Sequence, residues 1–425
     1  HMRIRVRAGA MTTMTLKLAE AFTVRGVYAP GFGRLLHLRV VNQNSLIVNL
    51  PTPVFRDNEF ALTIVYSGRL EPSELDREAI SLQSQQEREP VAIPLEPRYI
   101  YSNNSYWYPQ STVSDYALGT VRVTVPTDYD VVATGTLTGP PRPLTDSAAA
   151  RGQKVFTFQN DRPVRYLSCV VSRMQPVVST KLPIRSSAAD FGDLRVAVPD
   201  HAAPVGAGPR SSSSSSVAEP SAPEGTAGDD TSVTLTVRAN PRQIGRARNL
   251  AEQTSAILQF YASIVGEAPY PTFTLAVTEY ELPGGHSPAY FAVLNQVLPT
   301  SPIIWRNDPV NFESFPQFYL AHELAHQWWG QAVGWKNYHE QWISEGFAQY
   351  FAALYAEKAL DANVFPSVLR QMRRSGIDMS PQGPIHLGYR LGHIRAERPV
   401  FRSLVYNKSA IVLHMLRRLV GDDPF

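Results

Sequence analysis

The first ~180 residues alternate apolar and polar positions in short runs. Thr12–Leu18, Leu35–Val41, Phe60–Tyr66, Gly119–Val125 and Lys154–Phe158 are rich in Val, Thr, Leu and aromatic side chains. Gly, Pro, Asn and Asp separate them. That pattern predicts an antiparallel sandwich or saddle. Tyr99–Tyr108 (YIYSNNSYWY) is dense in aromatics. It reads either as a β edge packed on a neighbouring domain or as part of a binding wall. After Pro241 the period changes. Ala247, Leu250, Ala251, Ala256, Ile257 and Phe260 follow helical spacing, and a strand-like run, Phe273–Val277, comes next. Two long helices are predicted over Pro316–Val333 and Trp342–Leu360. Proline suits a first turn and Gly334 a helix end. A last helix is predicted over Leu404–Val420, with Arg417 and Arg418 near its C-terminal dipole and Gly421 just beyond.

Residues 201–231 interrupt this order. Ser211–Ser216 is a homopolymer flanked by Ala, Pro, Gly and Asp, a composition that cannot bury apolar surface. It lies between strand-like Leu194–Val198 and Ser232–Val237 and reads as a low-complexity loop inserted in a hairpin. The chain therefore divides into an all-β part, residues 1–182, and an α+β part, residues 183–425.

Composition narrows the classes. At 425 residues and 44% hydrophobic, the chain can build two or three cores, and disorder of the whole is excluded. No apolar run approaches the ~18 residues of a membrane span. Forty basic against 37 acidic residues leave a net charge of +3, which makes no case for nucleic acid or an anionic membrane as partner. The single cysteine, Cys169, excludes an internal disulfide framework and reads as a small buried strand residue. His1-Met2 reads as a cloning remnant, and no apolar signal segment follows Arg3, Arg5 and Arg7. A secreted or periplasmic protein with its leader removed and a cytoplasmic protein both remain open.

The chemistry concentrates in His322-Glu323-Leu324-Ala325-His326. Residues four apart share a helix face, about 6 Å apart along the axis. Two imidazoles can then grip one ion from the same side, while Glu323 reaches a water on that ion. This is the H-E-x-x-H zinc arrangement with the glutamate as general base. Nineteen residues after His326 comes Glu345, within WISEGFA on the next predicted helix. A hairpin of two antiparallel helices would return it to the ion. Two imidazoles and one carboxylate leave a fourth position for water, the layout of a catalytic zinc, one per chain.

H-E-L-A-H, 18 residues, then Glu in W-I-S-E-G-F-A resembles the gluzincin-type zinc aminopeptidases, the family of aminopeptidase N and leukotriene hydrolase. Ile64–Gly68 and Arg162–Tyr166 look like N-terminal segments of that family. The resemblance implies a β-saddle domain followed by a thermolysin-like catalytic domain, acting on peptide substrates. It also implies a tyrosine some 60 residues after the glutamate ligand. Tyr406, in Tyr406-Asn407-Lys408-Ser409-Ala410, fits that place and would hold the developing oxyanion, with Asn407 and Lys408 as supporting groups.

The pattern departs from the family at one point. Where the family carries G-x-M-E-N, whose glutamate binds the substrate's free amine, this chain has Pro283-Gly284-Gly285-His286-Ser287-Pro288. Aligned on Pro288, His286 takes the glutamate's place; aligned on the glycines, Ser287 does. Either Glu279, Glu281 or an N-terminal residue anchors the amine and the chain is an aminopeptidase, or the anchor is gone and blocked or internal peptides are cut. A non-catalytic scaffold is the remaining class, and the presence of both Glu323 and Tyr406 argues against it. Gly284 and Gly285 would let substrate backbone approach a strand edge, with His286 beside it. His339, His386, His393 and His414 read as structural or solvated. The family normally continues into a large helical domain, which the sequence does not include.

Overall fold

The computed structural model describes residues 1–40, 42–72, 93–112, 115–145, 151–184, 232–280, 284–297, 312, 314–387 and 398–425. The 201–231 segment, Leu194–Val198, Glu281 and His393 lie outside these.

Every strand predicted in the first part and lying among the described residues is present. In one four-stranded sheet Glu59–Gly68 lies between Met2–Arg5 and Phe22–Ala29. In a second, Ala10–Lys17 pairs with Ser45–Phe55. Leu16, Leu18, Val27, Leu46, Val48 and Leu62 fill the space between them. A second β layer pairs Ala117–Pro126 with Gln153–Val164, packed on a sheet of Asp130–Ala133, Cys169–Ser172 and Arg98–Tyr101. Cys169 is buried on its strand, as its composition suggested. Period-two alternation with turn residues between runs is what lets one face of each sheet go dry.

The aromatic run starting at Tyr99 meets the second half of the molecule. Ile100, Val132, Val170 and Met174 share a cluster with Ala276, Phe291 and Val293. Through Ile100 this run packs on the second half.

The second half is α+β. Its five-stranded sheet runs in the order Gln175–Pro183, Ser232–Ala239, Thr272–Tyr280, Phe291–Val297, Gly284–His286. The two inner junctions are parallel and the two outer ones antiparallel. Gln175–Pro183 bonds along its length to Ser232–Ala239, so a division at residue 182 falls inside an edge strand of this sheet. The short strand Gly284–His286 forms the other edge.

Helix α1 (Ile244–Val265) covers the sheet through Ala247, Ala251, Thr254, Leu258, Tyr261 and Ala262, one stripe at helical spacing. Gly266, at φ +92°, closes it. Helices α2 (Phe318–Ala325) and α3 (Gln341–Ala359) follow, then α4 (Val364–Asp378), α5 (Arg398–Phe401), a π-helix (Arg402–Lys408) and α6 (Ser409–Val420). Helix α3 is buried on nearly all sides, and Ala348, Ala352, Ala353 and Ala356 let its neighbours come close.

Two helices differ from expectation. The one expected over Pro316–Val333 ends as α-helix at Ala325. Beyond it the backbone bonds widen, with Gln331, Ala332 and Val333 N–H reaching carbonyls five residues back. Gly330 then takes φ +115°, and a Cβ there would stand 2.4 Å from Ser344 Oγ on α3. Glycine at this position lets the turn close against α3. The last helix starts earlier than expected, at Arg398, and passes through a π-turn where α3 presses on it. A Cβ on Gly346 would lie 2.5 Å from Ser409 Cβ.

Candidate active site

Helix α2 buries Phe318, Leu320, Ala321, Leu324 and Ala325, and this wraps His322 and Glu323 in apolar side chains. The hydroxyl of Tyr261 donates to the Ala321 carbonyl at 2.9 Å and ties α2 to α1. The i, i+4 spacing brings His322 Nε2 within 3.1 Å of His326 Nε2. Antiparallel α3 returns Glu345, whose Oε2 stands 3.3 Å from His322 Nε2 and 3.4 Å from His326 Nε2. A tetrahedral zinc with ligands at 2.0–2.2 Å spaces its donor atoms about 3.3–3.5 Å apart. The triangle fits such an ion, and it is the His/Cys/Asp/Glu cluster of metal-binding geometry among the described residues. The donor set and its spacing suit zinc.

Burial and charge set the protonation of the cluster. Burial pulls the His322 imidazole below its ordinary value. Burial works the same way on His326, but the Glu345 carboxylate outweighs it and carries that ring up to about 9. Glu345 is itself penalised by burial, yet the two imidazoles hold it well below the carboxylate range. His326 Nδ1 lies 3.0 Å from the Trp329 carbonyl, freed where α2 unwinds, and 3.3 Å from Ser344 Oγ. The early end of α2 thus supplies the acceptor that holds this ring.

Glu323 is buried against the sheet edge. A Cβ on Gly285 would sit 2.7 Å from its carboxylate, so only glycine lets that strand lie on the glutamate. Tyr319, one turn before Glu323, has a phenol raised well above its ordinary value by burial and then by the nearby Glu323 charge. Tyr406, in the π-helix, stacks on His322 with ring centroids 5.6 Å apart and planes 13° apart. A π-turn in a helix commonly marks a functional position. Tyr319 is a residue that reasoning from sequence missed. Its one signal was a hydroxyl four residues before the glutamate.

The residues after Gly285 have separate duties. His286 is half-buried, and its Nε2 meets Ser102 Oγ of the β-rich half at 2.7 Å. Ser287 is buried and accepts from Gln327 Nε2 at 2.9 Å. Gln327 also binds the Pro288 carbonyl and the Tyr290 N–H, so it clamps this turn to the end of α2. Glu279, 1% exposed, is committed elsewhere. Arg242 binds both of its oxygens, and the Glu96 N–H donates to Oε2 at 3.3 Å. His339 Nδ1 contacts the carbonyl of exposed His386 at 3.2 Å, and His414 Nδ1 pairs with the Tyr350 hydroxyl at 3.0 Å. Both contacts fit the structural reading of these histidines.

Comparison with known proteins finds relatives of the segment that carries this cluster. Residues 316–425 match the Peptidase family M1 domain. Endoplasmic reticulum aminopeptidase 2 of Bos taurus is 30% identical over 111 residues, 25% of this chain and 11% of that protein. Aminopeptidase N of Canis lupus familiaris is 33% identical over 117 residues, again 25% of this chain and 11% of the relative. The matched segment thus spans about a tenth of these curated relatives. The fold comparison reaches further. The crystal structure of the M1 zinc metallopeptidase from Deinococcus radiodurans superposes with a TM-score of 0.62 at 19% identity, covering 99% of this chain and 78% of that one. A mutant of it bound to a Tyr-Ser-Ala substrate gives a TM-score of 0.60 at 19% identity, over 98% and 77%. The metal-bearing segment is thus similar to the M1 peptidase domain and to aminopeptidases that share it. The fold likeness extends over the β-rich half as well. Among the described residues no helix is long and apolar enough to cross a membrane.

Proposed function

We propose that this chain is a zinc metallopeptidase that hydrolyses peptide bonds and releases N-terminal residues. The observation that carries the reading is the His322–His326–Glu345 triangle with the Glu323 carboxylate beside it, pressed on a glycine of the sheet edge. Those three residues would hold the ion. When bound, zinc lowers the pKa of a water toward ~7 and polarises the scissile carbonyl.

Glu323 accepts a proton from the attacking water and hands it to the leaving amine. Its burial keeps that transfer away from bulk solvent. Tyr406, fixed by its stack on His322, donates from its hydroxyl to the oxygen that gains charge. Among the described residues the edge strand Gly284–His286 is paired on one side within its sheet, and an extended peptide can add to the other side through main-chain hydrogen bonds. The β-rich half supplies the Ser102 side of the same wall. We assign the metal and the base to the α+β unit and the outer wall to the β unit, with the division ahead of Gln175.

A second reading, a peptidase of altered N-terminal specificity, is favoured by the commitment of Glu279 to Arg242 and by the lack of a carboxylate at either candidate anchor position, His286 or Ser287. An ammonium group buried without a carboxylate loses a charged partner worth a few kcal/mol. Zinc-loaded protein assayed on one peptide with a free and with an acetylated N-terminus, with Glu323→Gln as blank, decides between the two. Turnover of the free peptide alone supports the aminopeptidase. Comparable turnover of the acetylated one supports the second reading. Inactivity on both, with zinc bound, defeats both.

A further inference from the structure

The two histidines face one point but hold their outer nitrogens differently. A neutral imidazole ligates through the nitrogen that carries no proton, so the other nitrogen bears the N–H, and a buried N–H needs an acceptor. The Trp329 carbonyl serves His326. His322 Nδ1 is buried with no hydrogen-bond partner.

One turn beyond Glu345 on the same face of α3 stands Gln349, fully buried. Its amide nitrogen donates to Asn407 Oδ1 at 2.8 Å. That bond fixes the sense of the amide and leaves Oε1 as the free end. Oε1 is also buried and unpartnered. The helix pair therefore encloses one orphaned donor and one orphaned acceptor of matching chemistry. The Gln349 side chain also lies within interaction reach of the His322 ring.

We propose that Gln349 is a positioning residue of the metal centre: its Oε1 accepts the Nδ1–H of ligating His322, and Asn407 holds the amide in the sense this requires. Asn407 precedes Lys408 on the π-helix and directly follows Tyr406, whose ring stacks on the same histidine. One face of His322 is thus set by the tyrosine and its outer nitrogen by the amide relay. The ligand and the oxyanion donor share a single support. This rests on the zinc reading above, but not on peptidase activity.

The test is zinc affinity of the full chain, measured by competition with a chromogenic chelator, together with the visible spectrum of the Co²⁺-substituted protein. Gln349→Leu should weaken zinc binding about 10- to 100-fold and shift the Co²⁺ bands. Gln349→Glu, which restores an acceptor, should recover most of that loss. Wild-type affinity and spectrum in Gln349→Leu, or a Gln349→Glu protein as weak as Gln349→Leu, would overturn the proposal and leave Gln349 as packing. Should Gln349→Leu fail to fold, Asn407→Leu carries the test: about a tenfold loss of zinc affinity supports the relay, and unchanged affinity overturns it. A wild-type protein that shows this zinc pattern yet cleaves no peptide upholds the relay and defeats only the function proposed above.

Discussion

The metal side and the substrate side of this site are built on different principles. The metal side comes from α2 and α3, adjacent along the chain, with ligands at spacings of 4 and 19 residues. The proposed substrate side joins Gly285 and His286 to Glu323 and to Ser102, and the last contact spans 184 residues of sequence. Helix geometry sets the two histidines, and the packing of adjacent helices adds Glu345. A distant arrangement exists only if two separately folded layers dock in register, here through the Ile100–Phe291–Val293 cluster. The first type suits a function that cannot vary, the second a surface that can change specificity without disturbing the ion.

Substitutions can break or sharpen that contrast. The largest effect is expected from Glu323→Gln, where kcat should fall on the order of 10²–10⁴ while zinc stoichiometry stays at wild type. Loss of zinc from that variant would mean the glutamate belongs to the metal side. Tyr406→Phe should lower kcat on the order of 10²–10³ with KM little changed, and an unaltered kcat would remove the hydroxyl from the chemistry.

Gly285→Ala probes the junction of the two sides. Its Cβ would meet the Glu323 carboxylate at 2.7 Å, so strand or glutamate must shift. A misplacement of about 1 Å costs roughly 10²-fold in rate, to be read in kcat/KM with zinc affinity as control. Full activity would show that the edge strand moves freely. Ser102→Ala removes the hydroxyl paired with His286. The loss of a hydrogen bond worth about 1 kcal/mol should change the free-to-acetylated preference roughly fivefold while kcat for the better substrate holds. A preference equal to wild type would detach this pair from substrate recognition.

The smallest effect concerns the far side of α3. There the Tyr350 hydroxyl meets His414 Nδ1, and burial lowers that imidazole's affinity for protons. The unfolded chain therefore binds more protons than the folded one below the ordinary histidine value of ~6.5, and stability should decline as pH falls through that region. His414→Gln should flatten this slope in thermal denaturation between about pH 5 and 7. An unchanged slope would assign the acid sensitivity to other groups.

Much of the α+β half was legible in residues alone. The bounds of α3 lie within one residue of expectation, because small apolar positions and the Glu345 context leave little freedom. The bounds of α2 were not legible. Nothing local in Trp329-Gly330-Gln331 says that Ser344 of another helix will press on Gly330. The same holds for Gln349, whose role depends on an Asn in the π-helix 58 residues later.

What the sequence determined by itself is the donor set and the order of β then α+β elements, since both follow from periods of two and 3.6 and from side-chain chemistry. Tertiary structure alone decided that Gly285 lies on Glu323, that Glu279 goes to Arg242 and not to substrate, and that His286 turns to Ser102. Each of those depends on which face of a strand meets which partner across a packed interface. Contacts between surfaces remote in sequence are chosen by the docking of whole layers, and no short window of residues encodes that docking.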